Sequence, residues 1–239
     1  MKLDGKVAIV TGAGRGIGKN ISLSLAEEGC RLVLISRTRS QLEKVKQEIV
    51  QKGGEAIIVA TDISKKRNIN MIIDETLKNY KTIDILINNA AVLYSSDFLD
   101  ITEDEWDITM GVNLKAAFLL SQGVMKIIIK QGSGYIINIS STAALEVPPG
   151  IAAYGISKLG IVGLSQAMYE EGKKFGVKVS VIYPGMTDTE MLRGFNPPVS
   201  PDKWMFPSDI SGCVLFLLKQ SDRVIVKEIV PWARRYDKI

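Results

Sequence analysis

Short β-branched runs alternate with longer amphipathic stretches along the whole of this 239-residue chain, and no other feature restricts its fold as much. Runs rich in Val and Ile at 7–11, 31–36, 56–60, 83–88, 134–140, 177–183 and 224–230 predict strands. Between them, apolar residues at helical spacing, such as Ile17, Ile21 and Leu25, predict helices over 17–29, 38–52, 64–80, 102–130, 153–175 and 207–219. Strands separated in this way by helices lie parallel, with the crossovers covering both faces of the sheet. The expected fold is therefore α/β: a three-layer, doubly wound parallel sheet of about seven strands with helices on both faces. Ligands of such sheets bind beyond the carboxyl ends of the strands. The chemistry should sit just after strands one, four, five and six.

With 46% apolar residues the chain can bury a substantial core, and nothing in it resembles a linker. One domain spanning 1–239 is expected, with Asn196-Pro197-Pro198-Val199-Ser200-Pro201 as a surface loop. The chain runs from Met1 into a strand pattern within a few residues, and no apolar run approaches membrane-spanning length, so a cytoplasmic protein without a membrane partner is expected. Histidine is absent, which excludes Ser-His-Asp hydrolysis, histidine acid–base work and most zinc catalysis. Cys30 and Cys213 are too few and too distant for a disulfide framework, and no metal site is implied. The net charge of +4 is modest and its bases alternate with acids, which argues against a nucleic-acid partner. Any proton transfer must fall to Tyr, Lys, Asp, Glu or a thiol.

Thr11-Gly12-Ala13-Gly14-Arg15-Gly16-Ile17-Gly18 follows the first strand and opens the first helix. Glycine there lets backbone approach a phosphate, and free amides at the helix amino end, aided by the dipole, can bind the pyrophosphate of a dinucleotide. That loop makes the expected sheet Rossmann-type. At the end of the second strand NAD-binding proteins commonly carry a carboxylate for the ribose 2′-hydroxyl. Here Ser36 is followed by Arg37 and Arg39, and Arg15 projects from the glycine loop. Guanidinium groups suit a ribose 2′-phosphate, so NADP(H) is expected ahead of NAD(H), with merely solvated arginines as the plainer alternative. Asp62, after the third strand, could accept from an adenine amino group or serve turn or cap chemistry.

Tyr154 and Lys158 stand four positions apart, so on a helix the ammonium can lie beneath the phenol and favour its ionised form. A phenol titrates near about 10, and proton exchange near neutral pH calls for such a cation. Tyr169 and Lys173 repeat the spacing. The two tyrosines are separated by roughly 22 Å of helix, at about 1.5 Å per residue, so they cannot serve one small site. Thirteen residues before Tyr154 lies the hydroxyl of Ser141, whereas the same step back from Tyr169 reaches Ile156. Ser141 therefore favours Tyr154.

Taken together, Thr11-Gly12-x-x-x-Gly16-x-Gly18, Asp62, Asn88-Asn89-Ala90, Asn113, Ser141, Tyr154-x-x-x-Lys158 and Pro184-Gly185 resemble the short-chain dehydrogenase/reductase family, in its order and over essentially the whole chain. The resemblance implies Tyr154 as general acid for carbonyl reduction, with Lys158 binding the nicotinamide ribose and Ser141 holding the substrate oxygen. Asn113 would hold a water linking Lys158 to solvent, or else be a polar residue satisfied within its helix. Cofactor contacts would come from Gly12, Gly14, Arg15, Gly16, Ile17, Gly18, Ser36, Arg37, Asp62, Ile63, Asn89, Ala90, Tyr154, Lys158, Pro184, Gly185 and Thr187. Two departures stand out: Ala91 replaces the glycine that usually ends the fourth-strand motif, and Ile229-Val230-Pro231-Trp232-Ala233-Arg234-Arg235 replaces the aspartate-diglycine ending of the ketoacyl-carrier-protein reductases. A brief basic tail of this kind is similar to sepiapterin-reductase-like and hydroxy-acid-dehydrogenase-like members.

The implied activity is NADPH-dependent reduction of a ketone or aldehyde. An NAD-dependent secondary-alcohol dehydrogenase and a non-catalytic dinucleotide sensor are the competing readings. Met186, Met191, Leu192, Phe195, Trp204 and Met205 suggest an apolar lid near 186–206, although core packing explains some of them equally well. Tyr94 and the stretch 147–151 would add to the pocket wall. Apolar faces near 102–130 and 153–175 could pair about a twofold axis, so a homodimer or homotetramer is expected.

Overall fold

In the computed structural model, residues 3–195 and 199–233 are described. The Arg234-Arg235 tail and residues 196–198 of the expected surface loop fall outside them. Seven parallel strands form one sheet in the order β3-β2-β1-β4-β5-β6-β7 among the described residues. They are β1 (Val7–Thr11), β2 (Arg31–Ser36), β3 (Glu55–Ala60), β4 (Ile85–Asn88), β5 (Gly134–Ile139), β6 (Val177–Ile182) and β7 (Glu228–Ile229). The strand order reverses between β1 and β4, and this switch point opens the crevice in which a doubly wound sheet binds its ligand.

Alternation along each strand feeds two cores. Ala8, Val10, Leu32 and Leu34 face one side of the sheet, where α1 (Gly16–Glu27), α2 (Arg39–Gln51) and α8 (Pro207–Leu218) pack. Val7, Ile9, Val33 and Ile35 face the other, against α3 (Lys66–Tyr80), α5 (Ala116–Gln131) and α6 (Ala152–Gly172). Burial on both faces is why these strands read as near-continuous apolar runs.

Three elements differ from the sequence expectation. The run 83–88 yields a strand only from Ile85, although Asp84 is already tied to both neighbours: its N–H donates to Val7 O at 3.0 Å and its carbonyl accepts from Tyr135 N at 2.9 Å, while its carboxylate takes Val7 N at 3.0 Å and Lys6 Nζ at 2.8 Å. The run 224–230 shrinks to the two-residue edge strand β7, since Val224 and Val230 lie exposed and find no sheet partner. The stretch 102–130 is two α-helices, α4 (Glu103–Met110) and α5, joined by a π turn over Gly111–Lys115. A capping box starts α4: Thr102 Oγ1 accepts from Glu105 N and Glu105 Oε2 from Thr102 N, both at 3.2 Å.

The same helical run also corrects the expectation that nothing approaches membrane-spanning length. By length and composition, Glu103–Gln131 could cross a bilayer. Here part of its apolar surface is spent on the sheet: Ala116, Leu120, Val124 and Ile128 are buried in the second core, while Trp106, Ile108 and Phe118 stay exposed. A short helix, α7 (Glu190–Phe195), follows β6 within the expected lid, and a 3-10 turn at Pro201–Lys203 precedes α8.

Candidate active site

The end of β1 is tied to the end of β4 by one hydroxyl. Thr11 Oγ1 accepts from Asn89 N at 2.9 Å and Ala90 N at 3.0 Å, and Asn89 Nδ2 donates back to Thr11 O at 2.9 Å. The chain then turns at Gly12 with φ +68°, where a Cβ would lie 2.8 Å from Asn89 Nδ2. At Gly18 a Cβ would come within 2.2 Å of Gly12 O, so only hydrogen lets α1 pack under the loop. The helix begins with no side chain capping it and no acid in its first turn, leaving its first amides free to receive an anion. Ile17 packs into the first core beneath them. This cradle, closed to any larger residue and rich in uncapped N–H groups, fits the pyrophosphate of a dinucleotide. Asn89 serves the cradle indirectly, its amide nitrogen being spent on the loop backbone. Ala91 costs the loop no strain, since Lys81 is the one non-glycine residue with positive φ among the described residues.

On the adenosine side Gly14 touches the end of β2, its position lying 3.2 Å from Ser36 Oγ once a Cβ is imagined. Of the three arginines expected there, two are engaged elsewhere. Arg39 pairs with Glu43 one turn along α2 at 3.5 Å. Arg15 donates to Glu190 on α7, a partner the sequence does not announce. Arg37 remains exposed beside Asp62. Burial works to raise the Asp62 carboxyl, but hydrogen bonds from Ser64 outweigh it, with Lys65 and Arg37 adding to them, and hold it below the ordinary carboxylate range. Asp62 Oδ1 accepts from Ser64 N at 2.9 Å, so turn chemistry is its role in this structure. The Ile63 side chain is buried in the second core.

The proton-transfer residues meet where β5, the π turn and α6 converge. Gly155 follows Tyr154 because a Cβ there would lie 2.6 Å from Val147 and 3.0 Å from Ala143 O; its absence lets the segment after Ser141 close over α6. Ser141 Oγ accepts from Ala143 N at 3.1 Å, and its hydroxyl also bonds Tyr154. Lys158 Nζ lies 5.6 Å from the Tyr154 ring centroid and donates to Ile139 O at 2.8 Å. Burial pushes its pKa down to about 8. Burial likewise pushes the Tyr154 phenol up, and the Ser141 bond only partly offsets this. Desolvation thus works against the phenolate that the neighbouring lysine was expected to favour.

Asn113 sits in the π turn, where one extra residue per turn swings its side chain away from the ordinary helical register. Its Oδ1 accepts from Val92 N at 2.8 Å, while Nδ2 donates to Val92 O at 2.9 Å and Ser157 Oγ at 3.0 Å. Asn113 thus staples the loop after β4 to α6. A cavity of about 10 Å³, room for one water, is bounded by Thr11, Asn88, Asn113 and Lys158 among others. The rival pair is a surface feature: Lys173 bonds Glu170, and Lys227 stands 4.5 Å over the Tyr169 ring.

After β6, Gly185 N donates to Pro231 O at 3.2 Å and Pro184 O accepts from Thr142 N at 3.1 Å, fixing the root of the lid. Thr187, expected to touch cofactor, is buried, and its hydroxyl donates to Gly185 O at 3.0 Å. The threonine against the glycine loop is Thr189, whose Cγ2 lies 3.2 Å from where a Gly16 Cβ would be. The signal for it was available: Thr189 also caps α7, accepting from Leu192 N at 3.2 Å. Trp204 and Met205 are buried at the lid's base, Met205 within the first core, so they support the lid rather than line a pocket. Met186, Met191, Leu192 and Phe195 stay partly exposed.

Comparison with known proteins gives this geometry a context. A profile of the family described as short chain dehydrogenase matches residues 6–199. An uncharacterized oxidoreductase of Staphylococcus aureus is 36% identical over 227 residues, covering 95% of this chain and 96% of its own length. Among solved structures, a metagenomic short-chain oxidoreductase in complex with NADP has TM-score 0.85 and 35% identity, covering 96% of this chain and 97% of its own. A 7α-hydroxysteroid dehydrogenase complexed with NADH and 7-oxo glycochenodeoxycholic acid has TM-score 0.91 and 28% identity, with 98% and 95% covered.

Proposed function

The chain belongs to the short-chain dehydrogenase family, a family of oxidoreductases, and from that premise we propose that it is an NADPH-dependent carbonyl reductase. The observation that carries this reading is the Ser141–Tyr154–Lys158 cluster, half-buried at its two hydroxyls and buried at its ammonium, in which desolvation favours the protonated phenol. A nicotinamide dinucleotide supplies the hydride when bound. Gly12, Gly14, Gly16, Ile17 and Gly18 hold its pyrophosphate by backbone amides, and Pro184 with Gly185 roots the segment that covers it. Tyr154 gives its proton to the carbonyl oxygen as negative charge develops there, and Ser141 holds that oxygen by a second hydrogen bond. Lys158, pinned to Ile139 O, supplies positive charge below the phenol at the moment it becomes phenolate. Its easily lost proton suits a relay through the small cavity beside Asn113.

NADP(H) is favoured over NAD(H) because no carboxylate follows β2 and Arg37 stands exposed there. Related structures hold NADP in one case and NADH in the other, and the engagement of Arg15 by Glu190 favours the NAD(H) reading as the second choice. The substrate is a small, uncharged carbonyl compound. Exposed Tyr94, Leu145 and Val147 give the pocket mouth an apolar wall, and residues 85–114 carry Asp97, Asp100, Glu103, Asp104, Glu105 and Asp107 without one Lys or Arg. Such a rim repels anionic substrates and acidic carrier proteins. A second copy of this chain is the expected partner, joined through exposed Trp106, Ile108, Phe118 and Leu159 on α4, α5 and α6, while nucleic acid and membrane are not.

The test is NADPH oxidation over a panel of neutral ketones, quinones and aldehydes. Tyr154→Phe should lose turnover by about a thousandfold or more while binding NADPH as before, and Tyr169→Phe should match the wild type. NADPH binding with no turnover on any carbonyl would leave a sensor as the better account.

A further inference from the structure

Arg15 stands between two places that want its charge. Its neighbour Gly14 abuts Ser36 at the end of β2, on the adenosine side, with 3.2 Å between Ser36 Oγ and a Gly14 Cβ position. Its other neighbour, Gly16, abuts Thr189 at the start of α7, again at 3.2 Å. The extended backbone at Arg15 bridges these two contacts. From this pivot the guanidinium can swing toward β2, where a ribose 2′-phosphate would lie beside Arg37, or toward the lid. In the structure it lies on the lid, bonded to Glu190.

Glu190 has no better cation within its own helix. Arg193, the one base of α7, is held by Asp188 in a fork, Nε to Oδ1 at 2.7 Å and Nη2 to Oδ2 at 2.9 Å. The Thr189–Gly16 contact already brings the amino end of α7 against the glycine loop, so the ion pair adds a polar clasp to a packed seam. A doubly charged phosphate is a stronger partner for a guanidinium than one exposed carboxylate.

We propose that Glu190 is a cofactor-specificity and lid-positioning residue. It holds Arg15 as a latch between lid and glycine loop, and a 2′-phosphate releases the latch by taking Arg15 for itself. A nucleotide without that phosphate leaves the latch closed. The inference rests on the reading that Arg15 serves an NADP(H) site and adds that the lid senses which dinucleotide has bound.

Adenosine 2′,5′-bisphosphate and adenosine 5′-monophosphate probe the latch without any hydride chemistry. Calorimetric titration of the wild type, Glu190→Gln, Arg15→Ala and the double variant reads the competition. Glu190→Gln should bind the bisphosphate roughly threefold to fivefold more tightly, leave the monophosphate unchanged, and have no such effect once Arg15 is Ala. Hydrogen exchange reads the lid: the bisphosphate should speed exchange at the Leu192 and Arg193 amides of the wild type to the level of free Glu190→Gln, and the monophosphate should not. If Arg15→Ala weakens bisphosphate binding but Glu190→Gln changes neither affinity nor exchange, the latch is wrong and the NADP(H) reading stands. If Arg15→Ala leaves bisphosphate binding untouched, Arg15 does not read the phosphate and the latch falls, while the NADP(H) reading still rests on Arg37.

Discussion

Lys158→Met should make this protein more stable near neutral pH while removing its activity, and the gain should vanish in alkali. The lysine is 3% exposed, its ammonium touches a single backbone acceptor, and burial lowers its pKa from 10.5 to about 8. At about 1.36 kcal/mol per unit, keeping that proton in the folded state costs about 3 kcal/mol at neutral pH. Methionine has a similar length and no charge to desolvate, but it leaves Ile139 O without its donor, a loss of about 1–3 kcal/mol. The net change at pH 7 is a gain of about 0–2 kcal/mol.

The dependence on pH is the sharper quantity, since the lost hydrogen bond does not titrate. Below pH 8 folded and unfolded wild type both carry the proton, and the full penalty is present. Between pH 8 and 10.5 the unfolded chain binds more protons than the folded one, so wild-type stability rises with pH; beyond that range the penalty is gone. Urea unfolding of both proteins at intervals from about pH 6.5 to 10.5 cancels the titrations they share. Relative to the variant, the wild type should gain about 3 kcal/mol across that range. A constant difference would mean that Lys158 is not desolvated, and a wild type that weakens relative to the variant as pH rises would reverse the argument.

Gly18→Ala should weaken dinucleotide binding at least about tenfold and lower the melting temperature, because its Cβ would meet Gly12 O at 2.2 Å; Gly53→Ala, with φ +81° and nothing within 4 Å, should cost only about 1 kcal/mol and spare binding. Equal effects of the two in thermal melts and fluorescence titration would refute the close-packing account of the loop. Asn113→Ala strips Val92 of both its partners on that residue and should destabilise by about 3 kcal/mol in urea unfolding; a loss below about 1 kcal/mol would show that the staple is dispensable. Arg37→Asp should raise the ratio of the NADPH to the NADH dissociation constant by about tenfold or more, and an unchanged ratio would remove Arg37 from the 2′-phosphate site.

What could be read in the sequence follows from where burial is two-sided. Strands β1 to β6 are packed on both faces, so their apolar runs announce them within a residue or two. Strand β7 has the same β-branched residues but borders solvent, and only Glu228 and Ile229 find partners on β6. The π turn escapes periodicity because a single inserted residue shifts the helical register without breaking the apolar pattern on either side. Its product, the Asn113 clamp on Val92, depends on residues twenty-one positions apart in sequence. The glycine loop and the Ser141, Tyr154, Lys158 set were legible because their chemistry is local to motifs. Arg15 with Glu190 joins residues 175 positions apart and could be seen only once the chain had folded. The contact of Thr189 with Gly16 likewise shows only in the fold, although its place just before α7 carries a cap signal.

The electrostatics of the site follow from geometry that no spacing rule conveys. A lysine four residues from a tyrosine suggests a stabilised phenolate, yet here Lys158 is buried and Tyr154 half-buried, and desolvation acts on them in opposite directions. The phenol rises above its usual value while the ammonium falls to about 8, so the two inverted affinities leave the proton on oxygen and loosen it on nitrogen. A phenol in that state is ready to donate and reluctant to accept. Protonating a carbonyl oxygen needs no prior change in the free protein, whereas removing a proton from an alcohol first requires a phenolate that the site disfavours. In the proposed reaction Tyr154 therefore starts as a donor, and in the reverse reaction the same group would act as the acceptor.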